Sequence, residues 1–247
     1  LAGARAASAA PGADIGYPQA LELGAEGMVR IAPTVWVGRM APGLFLYTAT
    51  AVIDGGICYP ANGLILQRDE GAVLIDTTYS PDQAGVLLAW SRRVGRPISL
   101  AIATHFHFDR TGGIPALRDA GIRTLGHPLT CGLAHTHGLP VPEPIAGFDG
   151  GHHDIGPDLQ LYFPGAGHTR DNVVAWCPGQ QILFGGCLIK SSTSRGLGNV
   201  ADAVPADWPD SVRRVRGRYQ AARCVVPGHG TAAGDAIGTT LALLGKA

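Results

Sequence analysis

Residues 104–113 read THFHFDRTGG: two histidines and an acid at alternate positions, His105, His107 and Asp109, run into the pair Gly112-Gly113. The stretch directly follows SLAIA (99–103), an apolar run that reads as a buried strand. In α/β chains, ligands commonly bind on the loops that leave the carboxyl ends of strands. His105 and His107, two apart in an extended turn, can converge on one cation. The glycine pair permits a tight turn and a close backbone approach before the next helix. The competing reading is a pair of ordinary loop histidines with a capping aspartate.

Working outward, the same arrangement recurs. His168 lies in PGAGHTRDN after the apolar run LQLYF, Cys187 in FGGCLIK after QILF, and His229 in VVPGHG after RCVV. Each is closely preceded by glycine, which lets backbone fold tightly around a ligand. Six candidate ligands exceed one tetrahedral zinc but suit two open sites sharing a water.

Between these points the chain alternates strand-like and helix-like segments. Strands are expected at 34–38, 62–67, 72–76, 98–103, 123–126, 159–163, 172–176, 181–184 and 223–226. Helices are expected at 81–94, with Ser80 as cap, Pro81 in the first turn and Gly95 as stop, and at 114–120, 128–134, 207–219 behind Asp207, and 232–244. Segment 39–61 is apolar but broken by Gly and Pro, and reads as a hairpin or flap rather than core. Residues 138–157 read as loop. Two successive halves of this kind suggest two sheets between helical layers.

Composition narrows the function classes. Net charge is zero and there is no basic tract, so nothing points to nucleic acid. No apolar run approaches the roughly 20 residues of a membrane-spanning helix, and no membrane association is expected. Five cysteines with no CxxC make no disulfide framework. Of these, Cys58, Cys131, Cys177 and Cys224 read as buried small hydrophobes. Arginine outnumbers lysine 17 to two, which singles out Lys190. The opening LAGARAASAAPGAD reads as a signal-peptide remnant or a flexible tail. Residues 1–27 are thus expected to be a tail, 28–247 a single domain, and the protein periplasmic or secreted.

Taken together and in order, THFHFDRTGG, GHTRDNVVAW, LFGGCLIK, LGN and PGHG resemble the metallo-β-lactamases of subclass B1, from about residue 28 to the C-terminus. The resemblance implies an α+β fold, an αββα sandwich of two mixed β-sheets flanked by helices, with the metals in a groove along one edge. It implies two Zn2+ ions, the first held by His105, His107 and His168, the second by Asp109, Cys187 and His229. Lys190 matches the lysine that pairs with the substrate carboxylate, and Asn199 the asparagine near the substrate carbonyl. Related hydrolases of this fold usually read HxHxDH and carry a bridging aspartate. Here Arg110 follows Asp109 and Cys187 takes the likely bridging place, which favours the lactamase branch. Arg110 is expected beneath the second site, bonded to its ligands. Asp76, ending AVLID, is expected either to orient the metal loop or to cap a turn.

The implied activity is hydrolysis of the β-lactam amide by a zinc-bound hydroxide without a covalent intermediate, on a small-molecule substrate, by a monomer. Asp109 would orient the attack, and Asn199 would help stabilise the oxyanion. A serine enzyme would need SxxK, which the chain lacks. A Cys187–histidine nucleophile would leave the HxHxD cluster unexplained. The alternatives carried forward are a zinc hydrolase of another ester, lactone or thioester, and a metal-binding module without turnover. His127, His135-Thr136-His137 and His152-His153 are not expected to bind metal.

Overall fold

The computed structural model describes residues 26–53, 57–148 and 151–246. The first sheet runs in sequence order through β1 (Glu26–Ala32), β2 (Val35–Ala41), β3 (Leu44–Ile53), β4 (Ile57–Arg68), β5 (Gly71–Ile75), β6 (Ile98–Ala103), β7 (Arg123–Gly126) and β8 (Glu143–Pro144). Its pairs are antiparallel as far as β5 and parallel from there to β8. The second sheet comprises β9 (Gly151–Asp154), β10 (Gln160–Phe163), β11 (Val174–Cys177), β12 (Ile182–Gly186) and β13 (Cys224–Pro227), with only β12 and β13 parallel. The helices are α1 (Pro81–Arg93), α2 (Phe108–Thr111), α3 (Ile114–Asp119), α4 (Pro128–Thr136), α5 (Trp208–Arg218) and α6 (Ala236–Leu244).

The layering follows from the two-residue period of the strands. Leu64 and Leu66 of β4, Val73 and Ile75 of β5, Ala175 of β11 and Ile182 and Phe184 of β12 share the core between the sheets. Their neighbours one residue away face outward. Ile65 and Leu74 pack under Leu87, Leu88 and Trp90 of α1 and Leu117 of α3. Val174 and Leu183 pack under Trp208, Val212 and Val215 of α5 and Ile237 and Leu244 of α6. Strands buried on both faces must be apolar at every position, and β5 is buried throughout. The result is the expected αββα sandwich.

Several expectations need correction. The 39–61 segment is a hairpin of β3 and β4, but its inner half is core: Leu44, Leu46, Tyr47 and Ala49 are buried. Residues 54–56 of it lie outside the described residues, as do 1–25 of the expected tail, and β1 begins at Glu26. The 138–157 loop contains β8 and β9. Ser80 does cap α1, accepting from the Gln83 amide. Asp207 holds the cap position of α5 with a helical backbone and no side-chain cap bond. Asp235 caps α6 through the Gly238 amide, so that helix starts four residues later than expected. Cys58 is exposed rather than buried, and Cys131 and Cys224 are partly buried. Among the described residues no helix is long and apolar enough to cross a membrane.

Candidate metal centre

The site forms where β5, β6, β12 and β13 end together. Asp76 follows β5 with φ 65°, a left-handed conformation that an Asp tolerates better than most residues. Its amide donates to the Ile102 carbonyl at 2.7 Å. Its carboxylate accepts from the Thr104 amide at 2.8 Å, the Thr104 hydroxyl at 3.0 Å and Arg110 Nη1 at 3.0 Å. The Asp76 carboxylate thus ties the end of β5 to Thr104, at the head of the loop that carries His105 and His107. Burial raises its pKa to about 6, against the pull of Arg110 and Thr104. The Val173 amide donates to the Thr104 carbonyl at 2.9 Å, which joins the His168 loop to the His105 loop.

The glycine pair serves close approach rather than unusual dihedrals. Gly112 and Gly113 have φ −61° and −83°, but a Cβ on Gly113 would lie 1.8 Å from the Thr77 carbonyl oxygen, and one on Gly112 2.3 Å from that of Tyr79. Gly228 has the same function beneath Cys187, where a Cβ would fall 2.7 Å from Sγ.

Two clusters result. His105 Nε2 and His168 Nε2 each lie 3.2 Å from His107 Nδ1. Cys187 Sγ lies 3.1 Å, and Asp109 Oδ2 3.3 Å, from His229 Nε2. Within each triad the ligand atoms lie within 4.8 Å of one another. Two corners of a tetrahedron around zinc, at bond lengths of roughly 2.0–2.1 Å, stand about 3.3–3.4 Å apart. The two pairs through His107 Nδ1 come close to that spacing, as do the two through His229 Nε2, and the remaining pair in each triad lies within 4.8 Å. Among the described residues His127, His135, His137, His152 and His153 join neither cluster.

The ring orientations are fixed from behind. His229 Nδ1 donates to the Pro60 carbonyl at 2.7 Å, leaving Nε2 for the cluster. His107 Nε2 faces Asp202 Oδ2 at 3.1 Å, leaving Nδ1. Asn62, fully buried in β4, donates to the Pro227 and Gly230 carbonyls at 3.0 and 2.8 Å and so holds the His229 turn from both sides. Sequence reasoning missed Asp202 and Asn62. Neither sits in a ligand motif, and only the fold brings them to the site.

Electrostatics favour the ligand forms of His105, His168, Asp109 and Cys187. His229 differs: burial opposes its charge, but Cys187 and Asp109 raise its pKa to about 9, so it keeps its proton in the metal-free protein. Burial and then the neighbouring imidazoles hold His105 well below the ordinary histidine range, and burial and Lys190 do the same to His168. Burial would raise Asp109, but Arg110 and His229 override it and keep the carboxyl well below the usual range. Burial likewise opposes the Cys187 thiolate, and Arg110 wins there too. Arg110 is fully buried, with Nη2 2.8 Å from Asp109 Oδ2 and 3.1 Å from Cys187 Sγ, as expected of a cation beneath the second cluster. Lys190, partly buried, lies over the Trp208 ring at 5.1 Å. Asn199 is exposed, its Oδ1 accepting from the Ala201 amide at 3.1 Å.

Comparison with known proteins agrees with this architecture. Residues 56–229 match the family model described as the metallo-beta-lactamase superfamily. The chain is 34% identical over 213 residues to the metallo-beta-lactamase type 2 of Bacteroides fragilis, covering 83% of each, and 34% identical over 202 residues to that of Bacillus cereus, covering 80% of this chain and 77% of the relative. Among solved structures, the metallo-beta-lactamase FIM-1 from Pseudomonas aeruginosa in its mono-zinc form is similar with TM-score 0.82 and 34% identity, over 86% of this chain and 96% of that one. A metallo-beta-lactamase from Erythrobacter litoralis is similar with TM-score 0.84 and 33% identity, over 90% and 100%. With the family model spanning most of the chain and relatives 34% identical over about four fifths of it, this chain belongs to the metallo-beta-lactamase superfamily.

Proposed function

We propose that the protein hydrolyses the amide bond of β-lactams with two zinc ions, the first held by His105, His107 and His168 and the second by Asp109, Cys187 and His229. The observation that carries this reading is the pair of adjoining triads, one all imidazole and one with a thiolate, at tetrahedral spacing. Bound zinc supplies Lewis-acid polarisation of the carbonyl and lowers the pKa of water from about 15.7 toward roughly 7.

The chain's own groups do the rest. Asp109, kept ionised by Arg110, accepts a hydrogen bond and orients the attacking water. The Lys190 ammonium binds the carboxylate that bicyclic β-lactams carry beside the ring nitrogen. The Asn199 amide donates toward the carbonyl oxygen where negative charge develops. No side chain need form a covalent intermediate.

Zinc titration of the metal-free protein, followed by turnover of a carbapenem, a lactone and a glutathione thioester in parallel, tests the proposal. Carbapenem turnover should rise with zinc and outpace the other two. Lactone or thioester turnover without carbapenem turnover would reassign the substrate class, and zinc binding without any turnover would leave only a metal-binding module.

A further inference from the structure

Beside the second cluster lies a cavity of about 50 Å³, lined among others by Tyr59, Lys190, Ser191, Ser194, Leu197 and His229. Its size limits the occupant. One water needs roughly 10–15 Å³, so the cavity has room for a group of three or four heavy atoms. Its charge preference comes from Lys190. This ammonium is partly buried and rests on the Trp208 ring, and among the described residues no carboxylate pairs with it. A partly desolvated cation in that setting gains from an incoming anion. A carboxylate fits both requirements.

Tyr59 lines the same cavity from the flap strand β4. Its ring rests against the His229 ring, centroids 4.6 Å apart at 49°. Its backbone pairs with Ala51 of β3, and the next carbonyl, of Pro60, holds His229 Nδ1. The tyrosine is thus fixed to the same framework as the metal ligand. Its hydroxyl reaches across to the loop that carries Asn199, where a Cβ on Gly198 would lie 3.6 Å from it.

Resting on the β-lactam reading above, we propose that the Tyr59 hydroxyl is a second donor to the substrate carboxylate, beside the Lys190 ammonium, and makes Tyr59 a specificity-determining residue. Lysine supplies a point charge without direction, whereas a fixed phenol supplies a directed hydrogen bond. The contact exists in the ground state and the transition state alike, so it acts on KM.

The test is Tyr59→Phe, which keeps the ring against His229 and removes only the hydroxyl. For a carboxylate-bearing cephalosporin the variant should show KM raised about tenfold with kcat within about twofold. For the methyl ester of the same cephalosporin, wild type and variant should have equal KM. Unchanged KM for the acid, or an equal rise for acid and ester, overturns the proposal; the second result would assign Tyr59 a shape role. Equilibrium binding of hydrolysed benzylpenicillin to the zinc-loaded proteins probes the same contact without turnover: about tenfold weaker binding by the variant supports the proposal, and equal binding overturns it. If wild type opens no β-lactam, the functional reading falls while this binding comparison still decides for or against Tyr59.

Discussion

Arg110 Nη2 stands 3.1 Å from Cys187 Sγ, and Nη1 of the same guanidinium stands 3.0 Å from Asp76 Oδ2. One buried cation therefore links the end of β5 to the mixed triad and neutralises groups that burial alone would keep protonated. Replacing Arg110 with Met strands Asp76 and Asp109 without their counter-charge. Breaking one side of a buried pair costs about 3–5 kcal/mol, and at about 2–4 °C per kcal/mol the melting temperature should fall by at least about 6 °C. Thermal denaturation followed by circular dichroism measures this; a change under a degree would show that the ion network contributes nothing to folding.

Gly113→Ala should also destabilise the fold although it adds one methyl. The methyl would sit 1.8 Å from the Thr77 carbonyl oxygen and 2.7 Å from the Ala84 Cβ, so backbone must move. Overpacking of this kind costs about 1–3 kcal/mol or more. Because the displaced turn carries Asp109, activity should drop with stability. Melting curves and initial rates on the same preparation check the pairing, and wild-type values for both would refute the close-approach argument.

Cys187→Ser should separate activity from folding. The thiolate is the soft ligand proposed for the mixed triad, and an alcohol does not replace it at neutral pH. Zinc affinity at the second site should fall by at least about tenfold, turnover should fall with it, and the melting temperature of the metal-free protein should move little. Competition against a chromophoric chelator reads the affinity. Two tight zinc ions with full turnover would remove Cys187 from the ligand set.

Zinc binding to the two triads should differ in proton release. In the metal-free protein burial opposes the His229 imidazolium, but Cys187 and Asp109 raise its pKa to about 9, while His105 and His168 are held well below the ordinary range. The His229 proton is therefore present below about pH 9 and must leave when metal binds, whereas His105 and His168 of the first triad are neutral already. Near pH 7 the second zinc should release about one more proton than the first, and the difference should vanish above about pH 9. Calorimetric titration in buffers of different ionisation enthalpy counts these protons; equal release at both sites would contradict the assignment.

Lys190→Ala should act on binding. Loss of a hydrogen bond to a charged group corresponds to about ten- to a hundredfold in affinity, so KM for a carboxylate-bearing β-lactam should rise by that order with kcat little changed. Steady-state kinetics decides it, and a fall confined to kcat would place the lysine elsewhere in the reaction.

The sequence alone determined the chemistry of the site. Each ligand candidate stands in a glycine-flanked turn just after an apolar run, and both the run and the turn are local patterns that a strand of period two makes readable. The apolar run SLAIA before His105 also read as a buried strand. The tertiary structure decided what depends on residues distant in sequence. Asp202 reaches His107 from 95 residues away, and Asn62 reaches the His229 turn from 165–168 residues away. Tyr59 meets His229 across a similar stretch of chain, and no local pattern marks any of the three. The same holds for the β3–β4 hairpin, whose Gly and Pro suggested a loose flap although its inner half fills the core. Which distant segments meet is decided only once the sheets have paired, so these particular partners leave no trace in the order of residues.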